Sequence, residues 1–108
     1  MVQLGIDIGG TKIECVLLSQ SGSVMALKRA LTGAEKGLNH ILEIIKRLAA
    51  DILKGVNNEY TIGVGAPGSV SPTSNLHRNS NTRCLNDVPL KQLIEEKFGL
   101  KMTLTALH

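Results

Sequence analysis

Aromatic residues are nearly missing from this sequence, whose 108 residues include one phenylalanine, one tyrosine and no tryptophan. A folded core must therefore be built from aliphatic side chains. With so few aromatics, scattered basic residues and a net charge of only +3, the sequence gives little support for nucleic-acid binding. No apolar run approaches membrane-spanning length and no signal-like stretch opens the chain, so we expect no membrane partner.

Cysteine is also scarce. Cys15 and Cys84 fit no metal-binding or redox spacing, and we expect both to remain reduced, as in a cytoplasmic protein. The balance of 43% hydrophobic and 19% charged residues is that of an ordinary globular protein. The length suffices for one hydrophobic core, so we expect a single domain over residues 1–108.

The most informative stretch covers residues 4–14 and predicts a strand, a glycine turn and a second strand. Asp7 stands just before the turn, in a strand that is otherwise mostly apolar. We expect Asp7 to be a buried acid, and a carboxylate inside such a strand is costly unless it has a partner. Alternating apolar residues indicate which face of the strand is buried: Leu4, Ile6 and Ile8.

The turn itself combines groups that suit a phosphate. Gly9 and Gly10 allow backbone angles that other residues avoid and let a ligand approach the main chain closely. Thr11 and Lys12 then supply a hydroxyl and an ammonium group. Together with Asp7 as a metal ligand, these groups predict a phosphate site. The alternative is a tight hairpin whose Asp7 and Lys12 side chains are simply solvated.

The remaining sequence predicts the order β-β-β-α-β-α-β. Apolar residues at three- and four-residue spacing indicate the first helix, and a proline at an early position favours the start of the second. This order is typical of an α/β layered domain of the ribonuclease-H-like, actin-like type. The predicted strands cover residues 4–8, 13–19, 24–31, 60–65 and 100–107, and the predicted helices cover residues 35–54 and 87–98.

A second glycine pattern, Gly63-x-Gly65-x-x-Gly68, fits the dinucleotide-binding fingerprint as text. That fingerprint needs a helix to begin at its glycines. The pattern contains Pro67 and continues into Ser-Val-Ser-Pro, so we reject a Rossmann site. We expect these glycines to let a loop pass close to a bound group at the end of the strand.

Residues 69–88 form a long polar connection rich in Ser, Asn and Pro, which is typical of functional loops. Its amide and guanidinium groups suit sugar hydroxyls: Asn79, Asn81, Arg83 and Asn86. The alternative is a solvated loop.

Three segments resemble motifs of the ROK family (repressors, open reading frames, kinases), and the resemblance extends along the chain from Leu4 to about Met102. Residues 7–12 match the first phosphate motif of actin-like sugar kinases, Asp-x-Gly-Gly-Thr-Lys. Residues 65–72 are similar to the Gly-x-Pro-Gly-Ser-x-Ser-Pro loop of fructokinase/mannokinase-type members. Residues 79–90 are similar to the Asn-x-Asn-x-x-x-Leu-Asn segment of that subgroup and to the helix after it.

The resemblance implies an ATP-dependent hexose kinase of the fructokinase/mannokinase type, with ATP and Mg²⁺ as cofactors. By position, the residues implied for the phosphates are Asp7, Gly9, Gly10, Thr11 and Lys12, with Asp7 also serving the metal. Those implied for the sugar are Gly68, Asn81 and Asn86. The implied partners are a hexose and ATP, and oligomeric state, homo-oligomers included, stays open.

The sequence also departs from the family pattern. The position of the family's catalytic Asp falls near Leu107, which cannot accept a proton, and the chain stops at His108. The second lobe, with its glycine motif and zinc cluster, has no counterpart. We therefore expect an isolated N-terminal lobe, truncated or frameshifted, that is inactive alone. The alternatives are an N-acetylglucosamine or glucose kinase of the same family, a sugar-binding regulator, or a non-catalytic remnant.

Overall fold

The computed structural model describes residues 2–56, 60–67, 69–70, 73–74, 76–78, 83–98 and 103–107. The predicted order of elements is confirmed, with a short hairpin, β5–β6, added in the long connection. The strands are β1 (Val2–Ile8), β2 (Lys12–Leu18), β3 (Val24–Leu31), β4 (Tyr60–Pro67), β5 (Ser69–Val70), β6 (His77–Arg78) and β7 (Thr103–Leu107). The helices are α1 (Leu38–Ile52) and α2 (Leu90–Phe98), with single 3₁₀ turns at Ala34–Lys36 and Arg83–Leu85.

Five strands form one mixed sheet in the order β3-β2-β1-β4-β7. The first three strands are antiparallel neighbours, whereas β1, β4 and β7 run parallel to one another. The C-terminal ends of these three parallel strands therefore meet at one edge of the sheet, which we call the carboxyl edge. The turn between β1 and β2 lies at this edge, and so does the end of β3.

The core lies between one face of the sheet and the two helices. The apolar alternation in β1 is confirmed, because Leu4, Ile6 and Ile8 are each at most 2% exposed. The helices contribute Ile41, Ile45, Leu90 and Ile94, all buried in the same cluster. At the surface, Glu43 of α1 accepts a hydrogen bond from the Lys97 ammonium of α2 at 2.5 Å. This ion pair lowers the pKa of the Glu43 carboxyl.

The opposite side of the sheet, which we call the open face, carries the alternate residues of each strand. In β1 and β4 these include Gln3, Asp7, Thr61 and Gly63, and all four are exposed. The half-buried Gly65 lies on the same face. Neither helix covers this face, so polar groups on it remain accessible.

Helix α1 begins three residues later than its apolar pattern predicts. Gly37, with φ of +93° and ψ of 179°, separates the 3₁₀ turn at Ala34–Lys36 from α1. These angles are not helical, so the predicted helix over residues 35–54 divides into two pieces. At the other end, Gly55 has a φ of +79°, as expected for a glycine that follows a helix.

The rejection of a Rossmann site agrees with the structure. Strand β4 continues through Pro67, and the next described residues, Ser69–Val70, form a strand rather than a helix. Gly68 lies outside the described residues. Neither of the described helices is long and apolar enough to cross a membrane.

Candidate phosphate-binding site

The glycine turn, residues 9–12, is a tight hairpin between β1 and β2. The Gly9 N–H donates a hydrogen bond to the Lys12 carbonyl oxygen at 3.0 Å. Neither Gly9 nor Gly10 has a positive φ, so the expectation that the turn needs their conformational freedom is wrong. Gly9 is required for space instead, because a Cβ there would lie 2.7 Å from the Lys12 carbonyl oxygen.

Three consecutive residues of the turn are exposed: Gly10, Thr11 and Lys12. Lys12 forms no ion pair with any residue that the structure describes. A backbone amide, a hydroxyl and an ammonium group therefore stand together at the carboxyl edge. They are three donors of the kind that bind phosphate oxygens.

Asp7 lies on the open face and is exposed, so the expectation of a buried carboxylate is wrong. The alternation of β1 places it opposite the buried residues, and no helix or strand among the described residues covers that side. In the sheet it is paired with Glu14 of β2 and with Gly65 of β4. These residues line a shallow depression of about 320 Å³ on the open face.

Glu14 is a site residue that sequence reasoning missed. Its pairing with Asp7 places two carboxylates side by side on neighbouring strands, where like charges repel and a bound cation would relieve the repulsion. An Arg29 guanidinium nitrogen lies 3.9 Å from the Glu14 carboxylate, which is long for an ion pair. Only the alternation of β2, with Glu14 two positions after Lys12, could have indicated this position.

The two carboxylates suit Mg²⁺ in both type and number. Among the described residues no group of three or more His, Cys, Asp or Glu side chains could hold a metal ion. Mg²⁺ is usually bound by one or two carboxylates together with water and phosphate oxygens. Asp7 and Glu14 fit that pattern.

A second missed residue, Thr32, supports the turn from behind. Its hydroxyl donates a hydrogen bond to the Gly9 carbonyl oxygen at 2.7 Å, and its N–H donates one to the Thr11 carbonyl oxygen at 2.8 Å. Thr32 is fully buried. In the sequence it is simply the residue that follows the strand over residues 24–31, so no local signal marks its contacts.

The residues predicted for the sugar are only partly described. Gly68 and Asn81 lie outside the described residues. Asn86 is half-buried, and its N–H donates a hydrogen bond to the Arg83 carbonyl oxygen at 3.0 Å. The adjacent Leu85 is fully buried and fixes this segment on the core. Leu107 is paired with Pro67, so it also lies at the carboxyl edge.

Sheet order, helix placement and the position of the glycine turn define an actin-like α/β lobe with a candidate phosphate site at its carboxyl edge. The ROK family profile matches residues 3–106, and the chain belongs to the ROK family.

Two relatives and one solved structure illustrate the similarity. A glucokinase of Thermotoga maritima is 30% identical over 104 residues, which are 94% of this chain and 32% of that protein. An N-acetyl-D-glucosamine kinase of Pasteurella multocida is 30% identical over 101 residues, which are 91% of this chain and 32% of that protein. The chain thus spans about a third of the length of these relatives.

The solved structure is a ROK family glucokinase from Streptomyces griseus in complex with glucose and AMPPNP. It superposes with a TM-score of 0.84 at 24% identity, covering 98% of this chain and 33% of that one. This likeness confirms the predicted fold class.

Proposed function

We propose that this chain is the N-terminal lobe of an ATP-dependent sugar kinase and that its glycine turn holds the phosphates of ATP. The observation that carries the proposal is the exposed run Gly10-Thr11-Lys12, held beside Asp7 at the edge where β1, β4 and β7 end. The reaction is transfer of the γ-phosphoryl group of ATP to a hydroxyl of a hexose.

The chain's own groups act by positioning and by neutralising charge, which are the main sources of catalysis in phosphoryl transfer. The Gly10 amide, the Thr11 hydroxyl and the Lys12 ammonium donate hydrogen bonds to phosphate oxygens. Asp7 and Glu14 would hold Mg²⁺ through their carboxylate oxygens. The metal, when bound, supplies further neutralisation of the phosphate charge.

We assign the sugar side of the site to Gly68, Asn81 and Asn86, the residues that the family resemblance implies. The side-chain amides of asparagine suit hexose hydroxyls, and a glycine has no side chain to keep a ligand away from the main chain. The named relatives are glucose and N-acetylglucosamine kinases, which supports glucose or N-acetylglucosamine as the substrate. The alternative is fructose or mannose, which the similarity of residues 65–72 to fructokinase-type loops favours.

We expect the 108-residue chain alone to show no turnover. It spans about a third of its relatives' length. Leu107, at the position where the family resemblance places the general base, cannot accept a proton. A base contributes roughly 10²–10⁴-fold to such reactions. A coupled assay with ATP and glucose, N-acetylglucosamine, mannose or fructose checks this, and turnover well above background would contradict it.

Phosphate binding can be tested directly on this chain. We expect Mg²⁺-tripolyphosphate and Mg²⁺-ATP to shift the ¹H–¹⁵N resonances of residues 9–12. Lys12→Met should weaken binding by about 10- to 100-fold, because a hydrogen bond to a charged group contributes about 1.5–3 kcal/mol. Lys54→Met is the matched control, since Lys54 is also exposed but follows the far end of α1. Shifts that avoid the turn, or equal losses in both variants, would refute the proposal.

Isothermal titration with the same four sugars tests the sugar side, with and without Mg²⁺-ATP. A preference for glucose and N-acetylglucosamine supports the first assignment, and a preference for fructose or mannose supports the alternative. We expect Lys12→Met to leave sugar binding unchanged, because we assign Lys12 to phosphate alone. Loss of sugar binding in that variant would contradict the assigned roles.

A further inference from the structure

We propose that Thr32 is a positioning residue that orients the glycine turn for phosphate. This inference rests on the proposed function of the turn. Thr32 follows β3, two strands away from β1, and is separated from Gly9 by 23 residues in the sequence. It does not reach the exposed side of the turn, because it is fully buried. Its effect on a phosphate is therefore exerted through the backbone that it holds.

The two hydrogen bonds of Thr32 hold both sides of the turn. The hydroxyl binds the Gly9 carbonyl at 2.7 Å, and the amide binds the Thr11 carbonyl at 2.8 Å. The N–H of Gly9 is already bound to the Lys12 carbonyl. The peptide units before and after Gly10-Thr11 are thus tied to the protein.

The bond to Gly9 decides where the Gly10 amide points. The chain has no cis peptide bonds among its described residues, and in a planar trans peptide the C=O and the following N–H point in opposite directions. With the Gly9 carbonyl turned toward Thr32, the Gly10 N–H is turned away from the protein interior. The exposed Gly10 then presents this N–H to a ligand.

The loop that carries Thr32 is itself held in place. Gly33 adopts a left-handed conformation with φ of +63°. The His40 ring of α1 lies so close that a Cβ at Gly33 would be 2.6 Å from its Nε2. Strand β3, Gly33 and helix α1 therefore define the position of the Thr32 hydroxyl, and rotation of the glycine turn would break its bond to Gly9.

The test compares Thr32→Val, which has the same shape without the donor, with Thr32→Ser, which keeps the hydroxyl. Thr61→Val is the matched control, because Thr61 is an exposed threonine at the far end of the sheet. In the free chain, Thr32→Val should shift the ¹H–¹⁵N resonance of Gly10. It should also weaken Mg²⁺-tripolyphosphate binding by about tenfold, the equivalent of one hydrogen bond. Thr32→Ser should restore both, and Thr61→Val should change neither.

A folded Thr32→Val chain with the wild-type Gly10 resonance and wild-type affinity would refute the inference. A chain with lower stability and an unchanged Gly10 resonance would refute it as well, because the role of Thr32 would then be structural only. If Thr32→Val does not fold, Thr32→Cys replaces it, since a thiol is only a weak donor. Failure of the wild-type chain to bind tripolyphosphate would refute the proposed function. The effect of Thr32 on the turn would still be tested, because the Gly10 resonance is measured without any ligand.

Discussion

Replacing Gly9 by alanine tests whether the glycine turn is shaped by a close approach between its two strands. An added Cβ would lie 2.7 Å from the Lys12 carbonyl oxygen, which is main chain and cannot rotate away. Relief requires the two strands to separate at the turn. That movement also stretches the hydrogen bond from the Gly9 N–H to the Lys12 oxygen, now 3.0 Å long.

The expected cost follows from these two effects. Overpacking a tight contact costs about 1–3 kcal/mol. A weakened backbone hydrogen bond adds about 0.5–1.5 kcal/mol, and part of the two is shared because one movement causes both. We expect Gly9→Ala to lower the free energy of unfolding by about 2 kcal/mol. For a domain of this size, that lowers Tm by roughly 8–16 °C.

Gly63→Ala is the matched control. Gly63 also lies in a strand of the central sheet, has no positive φ, and would meet no atom within 4 Å of an added Cβ. The same substitution there should change stability by less than about 1 kcal/mol, with a gain from the reduced entropy of the unfolded chain. Thermal and urea unfolding, followed by circular dichroism, measure both variants. Equal Tm values for Gly9→Ala and Gly63→Ala would refute the close-approach argument.

Three further predictions concern the support of the turn and the burial of the core. Gly33→Ala should destabilise the fold by about 2 kcal/mol, because Gly33 has a left-handed φ and an added Cβ would meet the His40 ring. Adding His40→Ala to this variant should recover about half of the lost stability. If the losses of the two single variants simply add in the double variant, the contact with the ring is irrelevant. Burial raises the pKa of the Cys15 thiol from 9.0 to about 12. The unfolded thiol therefore loses its proton first, and stability should fall between pH 9 and 12 by up to about 1.4 kcal/mol per pH unit, a slope that Cys15→Ala should reduce. Thiol labelling of the folded chain at pH 8.5 should modify the half-buried Cys84 alone, and labelling of both cysteines would contradict the burial of Cys15.

The strands and helices could be predicted from local sequence patterns because each pattern has a local physical cause. Alternation in β1 follows from the two-residue period of a strand, and the buried stripe of α1 follows from the helical period. The start of α1 was misjudged because the apolar pattern does not show that Gly37 adopts non-helical angles. The short hairpin β5–β6 was missed because its strands have two residues each.

The candidate site could be predicted only where its residues are contiguous in the sequence. The run from Asp7 to Lys12 carries its chemistry in one stretch of sequence, so its residue types indicated a phosphate site. Glu14 and Thr32 join it through strand pairing and through a contact across 23 residues, which no local pattern contains. Asp7 was expected to be buried, but it is exposed. The alternation of β1 assigns Asp7 to the face opposite the core and does not show whether that face is covered.

By itself, the sequence determined the order of elements, the aliphatic core and the donors of the glycine turn, because these depend on residue type and spacing along one segment. Only the tertiary structure decided that Asp7 stands exposed beside Glu14 and that Thr32 holds the turn. Those relations arise where β1, β2 and the end of β3 come together, and hydrogen bonds between distant residues form only after the sheet has brought them into contact.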